Sequence, residues 1–260
     1  MSITIPVQNI TRKSLIYKSG LGFYCVNHAQ GCSHGCRYPC YAFSMAGRYG
    51  RSAGYDDWCR PKLVANAPAL LDKELPKLKK KLGVSADADE FRIHLCLTTD
   101  PFMVGWPEIR AMSLRIVEKI NAAGLTCDIL TKGILPRELA GPAFNKKNRY
   151  GISIVSLDED FRKRWEPGAA PYADRIGALR YLHDRGFPTY AHIEPYPTPN
   201  IFKQDIAALV NAVAFVDSLY FGGWNYSTAA EKYPDRTAFY EEQSRIVKAL
   251  CRKHNIECEM

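Results

Sequence analysis

The sequence predicts an α/β fold in which parallel strands alternate with helices. Short apolar runs and segments with an apolar residue at every third or fourth position follow one another along the 260 residues. No internal repeat, low-complexity tract or Gly/Ser linker interrupts this alternation. With 47 % hydrophobic residues the chain can bury a sizeable core, so one large domain accounts for its length.

The predicted strands are six short apolar runs, at residues 23–27, 93–97, 127–131, 150–155, 189–193 and 219–221. Because a helical segment separates each pair, the strands are expected to be parallel, with right-handed crossovers. An open doubly wound sheet and a barrel or partial barrel both satisfy this pattern. Both place ligands at the carboxyl ends of the strands, so the polar residues that follow the strands are the first candidates for a site.

The predicted helices carry apolar residues at spacings of three or four. They cover residues 63–82, 109–120, 172–182, 206–213 and 239–250. Gly124 and Gly186 follow two of them and are typical of a helix C-terminus.

Composition excludes several classes of protein. Charged residues make up 24 % and aromatic residues 12 %, as in ordinary globular proteins. No apolar run approaches the roughly 20 residues that a membrane span requires, and the N-terminus lacks the apolar stretch of a signal peptide. We therefore expect a cytoplasmic protein with no membrane partner.

The chain is basic, with 35 Lys and Arg against 27 Asp and Glu and a net charge of +8. A surplus of this size is compatible with a polyanionic partner such as nucleic acid. A solvated basic surface explains it equally well, so charge alone does not decide between these interpretations.

The nine cysteines include three at four-residue intervals, Cys32, Cys36 and Cys40, in a Gly-rich segment after the first strand. Packing cysteines rarely cluster with Gly, His and Pro, and disulfides use pairs and are uncommon in the cytosol. A closed zinc site would need a fourth ligand, from His28, His34 or Cys59. An iron–sulfur cluster is the remaining alternative. In a four-iron cluster three thiolates leave one iron open to a ligand, which favours catalysis over electron transfer.

Residues 27–42, which read NHAQGCSHGCRYPCYA, resemble the cluster loop of radical SAM enzymes, and within them the spore photoproduct lyase-related group. A second block, WEPGAAP at 165–171 followed by Arg175 and Ile176, is similar to that group's Glu-Pro-Gly segment. Residues 130–132 and 152–154 match more weakly. One departure is clear: Pro39 makes the cysteine spacing three and three, where the superfamily has three and two.

The resemblance implies a single radical SAM domain over residues 1–260, with a partial (β/α)6 barrel as its core at about 20–224 and a C-terminal helical extension at about 225–260. It implies a 4Fe–4S cluster on Cys32, Cys36 and Cys40 and S-adenosylmethionine (SAM) as cofactor or cosubstrate. The enzyme would cleave SAM reductively to a 5′-deoxyadenosyl radical, which abstracts hydrogen from the substrate. An external one-electron reductant of the flavodoxin or ferredoxin type would be its partner.

The resemblance leaves the substrate, and with it the lyase, transferase or oxidoreductase class, undetermined. Nucleic acid, a small metabolite and a peptide are all compatible with the sequence. The alternative hypothesis is a zinc-stabilised basic protein that binds nucleic acid and has no redox activity.

The resemblance also implies residues that hold SAM at the ends of the predicted strands. Lys132 and Ser153 are expected near the carboxylate of its methionine part. Thr99 and Asp100 end the second strand, where many radical SAM enzymes hold the methionine amine. A solvated lysine, tight packing at the serine and a turn before a proline are the alternative interpretations.

Three further residues have alternative roles. Tyr38 contacts the adenine of SAM if Pro39 is looped out, and otherwise Tyr41 is the candidate. Glu166 either reaches the ribose or forms an ion pair with Arg175 that fixes the loop around the Glu-Pro-Gly segment.

Overall fold

The computed structural model describes residues 6–83 and 91–260. Its strands are β1 Gln8–Ile10, β2 Ile16–Lys18, β3 Tyr24–Val26, β4 Ala29–Gln30, β5 Lys62–Val64, β6 Arg92–Leu95, β7 Thr126–Thr131, β8 Arg149–Ser153, β9 Thr189–Tyr196, β10 Ser218–Gly223 and β11 Glu257–Glu259. Its α-helices are α1 Tyr41–Arg48, α2 Tyr55–Trp58, α3 Ala67–Leu82, α4 Pro107–Ala122, α5 Glu159–Trp165, α6 Tyr172–His183, α7 Ile206–Ala212, α8 Thr228–Glu231 and α9 Arg236–His254.

The main sheet has eight strands in the order β11-β10-β9-β8-β7-β6-β3-β2. All of its neighbouring pairs are parallel except β2 with β3. The six predicted strands are β3 and β6 to β10, with small differences at their ends, and β11 extends their parallel arrangement at one edge. A second sheet of three short strands, in the order β1-β5-β4, lies beside the start of the chain. The α/β class and the parallel strands are confirmed.

The sheet curves around a cavity of about 680 Å³. Successive side chains of a strand point to opposite faces, so one set faces the helices and the other faces inward. Each of the six parallel strands contributes to the cavity wall, for example Tyr24 from β3, His94 from β6, Asp128 from β7 and Tyr220 from β10. The two outermost of these strands, β3 and β10, pair with β2 and β11 and not with each other. The barrel is therefore partial.

Helices cover the outer face of the sheet with their apolar sides. In α4, Ile109, Ile116 and Ile120 are fully buried at the spacing that predicted the helix. Gly124 follows with φ of +77°, a left-handed conformation that ends the helix as expected.

Two predicted boundaries are corrected. Leu63 lies in β5 and not in the following helix, which begins at Ala67 with Pro68 in its first turn. The C-terminal extension is not wholly helical, because β11 follows α9 and pairs in parallel with β10. Val247, Cys251 and Ile256 of this extension belong to the main hydrophobic core.

Within the described residues, none of the helices combines the length and the apolar character needed to cross a membrane.

Candidate active site

The three clustered cysteines lie in the loop between β4 and α1, at the end of the barrel where the strands finish. The backbone N–H of Cys32 donates to the Trp58 carbonyl at 2.8 Å, and this hydrogen bond holds Cys32 in place. Cys40 is the residue before α1. All three thiols are free, and all three line the 680 Å³ cavity.

The loop folds this way because glycine occupies its tightest position. Gly31 has φ of +88°, and a Cβ there would lie 2.6 Å from the Trp58 carbonyl oxygen. Any other residue would push the loop away from α2 and shift Cys32.

The second block of the sequence packs directly on the cysteine loop. The Gly168 N–H donates to the His34 carbonyl at 3.0 Å, and the Arg37 N–H donates to the Trp165 carbonyl at 2.8 Å. A Cβ on Gly168 would lie 2.0 Å from the Ser33 carbonyl oxygen. The two motifs therefore form one structural unit, although they are more than 120 residues apart in the chain.

Asp100 joins the ends of β6 and β7 to the cysteine loop. Its carboxylate accepts hydrogen bonds from the Thr131 hydroxyl at 2.7 Å and the Lys132 N–H at 2.9 Å, and it lies 2.9 Å from His34 Nε2. Burial opposes its charge, but His34 and these hydrogen bonds outweigh burial and lower the pKa of Asp100. The carboxylate thus holds the loop and the strand ends together.

Glu166 is the centre of a second buried network. One carboxylate oxygen accepts from the Tyr38 hydroxyl at 2.6 Å and lies 3.1 Å from Lys132 Nζ, and the other accepts from Arg175 at 2.9 Å. Burial alone would raise the pKa of Glu166, but the charges of Lys132 and Arg175 and the Tyr38 hydroxyl lower it to about 2. The predicted Glu166–Arg175 ion pair is present, and Arg175 also donates to the Ser153 carbonyl at 2.8 Å.

The structure brings most of the predicted site residues together on the cavity wall. These are Cys32, Cys36, Cys40, Tyr41, Thr99, Asp100, Lys132 and Ser153. Tyr38 and Glu166 lie behind the wall, where Tyr38 packs edge-on against Trp224 at 5.3 Å. Trp224 is buried in that aromatic cluster.

Several side chains inside the cavity were not predicted as site residues. Asp128 accepts from the Tyr190 hydroxyl at 2.6 Å, and Arg149 donates to the Tyr220 hydroxyl at 2.7 Å. The Tyr190 ring passes so close to Gly151 that a Cβ there would lie 2.4 Å from it. Two features of the sequence could have indicated these contacts: Asp128 in the otherwise apolar strand β7, and Gly151 in the neighbouring strand β8.

The interior also holds His192 of β9. Its ring stacks on Tyr220 at 5.5 Å, and its Nε2 lies 3.7 Å from Glu194. Burial and the charge of Lys132 lower the pKa of His192 to about 4, so the imidazole is neutral at neutral pH.

The donor set of the cysteine loop fits a thiolate-bound iron–sulfur cluster, because three free thiols line one cavity. Among residues 6–83 and 91–260, no three His, Cys, Asp or Glu side chains lie close enough together to hold one metal ion. Burial raises the pKa of Cys32 and raises that of Cys36 to about 12 against the opposing effect of Lys132. Half-buried thiols that face one cavity become thiolates when cations bind them. Within the described part of the chain, no group of side chains supports the closed zinc site.

Comparison with known proteins places the chain in a family. Residues 26–213 match the radical SAM superfamily. The chain is 24 % identical over 249 residues to the uncharacterized protein MJ0683 of Methanocaldococcus jannaschii, covering 88 % of this chain and 86 % of that one. It is 25 % identical over 186 residues to the uncharacterized protein ORF301 of Acidianus two-tailed virus, covering 70 % of this chain and 59 % of the viral protein's length.

Solved structures show the same fold. A spore photoproduct lyase complexed with dinucleoside spore photoproduct superposes with a TM-score of 0.67 at 18 % identity, over 96 % of this chain and 80 % of that one. A mutant of spore photoproduct lyase with bound AdoMet and dinucleoside spore photoproduct gives 0.67 at 16 % identity, over 97 % and 80 %. The chain belongs to the radical SAM superfamily and is a radical SAM enzyme, whose cofactors are a 4Fe–4S cluster and SAM.

Proposed function

We propose that Cys32, Cys36 and Cys40 hold the 4Fe–4S cluster and that the adjoining cavity receives SAM and the substrate. One observation carries this proposal: the three free thiols and the inner faces of all six parallel strands border the same cavity. When bound, the cluster and SAM supply a 5′-deoxyadenosyl radical that abstracts a hydrogen atom from the substrate.

The residues at the strand ends divide into those that contact SAM and those that position them. Lys132 faces the cavity with an ammonium suited to the carboxylate of SAM, beside Ser153 and Thr99. Tyr41 also lines the cavity, and it is our candidate for contact with the adenine of SAM. Glu166 and Tyr38 act behind the wall: they hold the Lys132 ammonium in place. Asp100 fixes the Lys132 backbone.

The cavity interior is suited to a planar substrate. Phe23, His94, Tyr190, His192 and Tyr220 supply aromatic faces, and Asp128 and Arg149 supply hydrogen-bonding groups between them. We propose a nucleobase within nucleic acid as the substrate, since spore photoproduct lyase, with the same fold, is solved with a dinucleoside bound. The +8 net charge of the chain is compatible with this class.

The cluster assignment is tested by anaerobic reconstitution with iron and sulfide, followed by dithionite and SAM. Wild type is expected to form 5′-deoxyadenosine. Cys32→Ser, Cys36→Ser and Cys40→Ser are each expected to lose the cluster and this activity. Full iron content in any one of them removes that cysteine from the ligand set.

Cys59→Ser is the matched control. Cys59 lies near the loop but does not line the cavity, so this variant is expected to keep its iron and its activity. Cys59 was also a possible fourth zinc ligand. Stoichiometric zinc in place of iron, lost in Cys59→Ser, contradicts the proposal and restores the zinc alternative.

The substrate class is tested separately, with oligonucleotides deuterated in their nucleosides. Transfer of deuterium into 5′-deoxyadenosine is expected. Reductive cleavage of SAM that no oligonucleotide labels or accelerates contradicts the nucleic-acid substrate while leaving the cluster assignment intact.

A further inference from the structure

The positive charge of the chain is concentrated around the cysteine loop. Residues 1–60 contain seven Lys and Arg and two Asp and Glu, a net charge of +5 out of +8. Since this segment is less than a quarter of the chain, the region that carries the proposed cluster ligands is its most basic part.

These basic side chains are available to a partner. Arg37, Arg48 and Arg51 are exposed, and in the part of the chain that the structure describes none of them forms an ion pair. Of the two acidic residues nearby, Asp57 is already paired with Lys62 at 2.9 Å. The charge of these three arginines is therefore neither buried nor neutralised by an ion pair among the described residues.

Apolar groups lie beside Arg48 and Arg51, at the C-terminal end of α1. Met45 and Tyr49 are four residues apart, on one face of the helix, and are 36 % and 61 % exposed. The Arg51 guanidinium lies 5.6 Å from the Tyr49 ring centroid. We define the α1 surface as Met45, Arg48, Tyr49 and Arg51. An apolar centre with a charged border is the usual composition of a protein-binding surface.

A second cavity, of about 550 Å³, opens between this surface and the N-terminal segment. Its wall includes Arg12, Lys13, Tyr49 and Arg51. Arg12 is anchored by donating to the Asn27 carbonyl at 2.9 Å. Positive side chains on both sides make this cavity complementary to an acidic side chain of a partner.

The α1 surface is close to the cysteines but separate from the substrate cavity. Cys40 immediately precedes α1, and Arg48 follows it by eight residues, about 12 Å along the helix axis. Arg48, Tyr49 and Arg51 do not line the 680 Å³ cavity, whereas Cys40 and Tyr41 do. A partner on this surface approaches the cluster from outside and leaves the cavity free.

We propose that the α1 surface is the docking site of a small acidic protein that carries one electron. This rests on the proposed function, because a cluster on Cys40 is what the electron would reach. One electron passes from the reduced carrier to the oxidised cluster; the carrier leaves oxidised by one electron, and no atom or proton is transferred. Electrostatic attraction speeds the encounter of such partners and makes it sensitive to salt.

The position of this surface favours an electron carrier over a nucleic acid. A nucleic-acid substrate must place its reacting carbon inside the cavity, which the α1 surface does not line. An electron carrier needs only a short distance to the cluster. The α1 surface lies beside Cys40 and outside the cavity. It therefore meets the requirement of an electron carrier but not that of a nucleic-acid substrate.

The test compares two reductants in the reconstituted enzyme: dithionite, and a flavodoxin kept reduced by its NADPH-dependent reductase. The variant is Arg48→Glu with Arg51→Glu. The matched control is Lys77→Glu with Lys80→Glu on α3, which changes the net charge equally at exposed positions. Initial rates of 5′-deoxyadenosine formation are measured at low and high ionic strength.

We expect the α1 double variant to lose about tenfold or more of the flavodoxin-driven rate at low salt, with the dithionite-driven rate unchanged. The α3 control should match wild type with both reductants. Equal flavodoxin-driven rates in wild type and the α1 variant overturn the proposal, as does a wild type that dithionite reduces and flavodoxin does not. Loss of oligonucleotide binding in the α1 variant assigns the surface to nucleic acid instead. No product with either reductant is a failure of the proposed function itself.

Discussion

Glu166 stabilises the candidate site although it does not line the cavity. Its carboxylate is fully buried between Tyr38, Lys132 and Arg175, and both of its oxygens have partners. A buried carboxylate persists only when its partners compensate for the lost hydration. Its pKa of about 2 reports that the partners more than do so.

This lowered pKa predicts an acid-sensitive stability. In the unfolded chain the Glu166 pKa is about 4.5, so the carboxylate stabilises the fold fully above that pH, and the stabilisation is lost as the pH falls from 4.5 towards 2. The difference corresponds to about 3 kcal/mol. Glu166→Gln is expected to remove this part of the pH dependence in urea unfolding of the apoprotein. Glu138→Gln, at an exposed ion pair, should unfold like wild type. Parallel pH profiles for wild type and Glu166→Gln would contradict this account.

Lys132 is the residue for which we expect the clearest effect on SAM binding. Its ammonium faces the cavity and is 15 % exposed. Lys132→Met keeps the length of the side chain and removes the charge, so the dissociation constant for SAM should rise about tenfold or more, the size of one charge-assisted hydrogen bond. Equilibrium dialysis of the reconstituted protein measures it, with an iron assay alongside. Lys163→Met, at an exposed lysine, is the control. Unchanged affinity would remove Lys132 from the site.

At the residue scale, residue type and spacing predicted the cluster ligands. They did not show which carboxylates are paired with other side chains of the chain. Three cysteines at regular intervals in a loop with glycines predict metal-cluster ligands from the local sequence alone. For Asp100 and Glu166 the sequence was compatible both with binding SAM and with a structural role. Only the fold brings His34 to Asp100 and Tyr38 to Glu166, across 66 and 128 residues of chain. Such pairings depend on tertiary contacts, which the local pattern does not contain.

At the element scale, the segment after α5 acts as a support for the cysteine loop. Gly168 sits where a Cβ would overlap the Ser33 carbonyl. Backbone atoms cannot rotate away as side chains do, so Gly168→Ala has to move one of the two segments. We expect this variant to bind less than half of the wild-type iron while its overall fold is kept, as measured by iron content and circular dichroism.

Gly177→Ala is the control for this prediction. Gly177 lies inside α6, and a Cβ there meets no atom within 4 Å. Alanine favours a helix more than glycine does, so this variant should be as stable as wild type or more stable by about 0.5–1 kcal/mol. Full iron content in Gly168→Ala would show that the loop does not depend on this contact.

The six parallel strands and five of the helices were predictable, because short apolar runs alternate along the chain with segments that carry an apolar residue at every third or fourth position. The short strands β1, β2, β4 and β5 were not predicted. They span two or three residues each, too few for any period to show. β11 was missed for the same reason, although its partner β10 was found.

At the scale of the whole molecule, the C-terminal segment is fastened to the end of the barrel that carries the site. The Tyr240 hydroxyl of α9 donates to the Tyr196 carbonyl at 2.9 Å and accepts from the Trp224 N–H at 2.8 Å. These two groups end β9 and follow β10. Trp224 in turn packs on Tyr38, which holds Glu166. One hydroxyl thus links the last long helix to the network behind Lys132.

Tyr240→Phe tests this link, because it removes only the oxygen that makes both hydrogen bonds. We expect the free energy of unfolding to fall by about 1–3 kcal/mol, since each bond contributes about 1 kcal/mol and the Trp224 N–H is left without a partner. Tyr226→Phe makes the same chemical change at a side chain that is 87 % exposed and should cost less than about 0.5 kcal/mol. Urea unfolding of both variants measures the difference. Equal stability of the two would mean that the C-terminal segment packs on the barrel without this hydroxyl, and that the site does not depend on it.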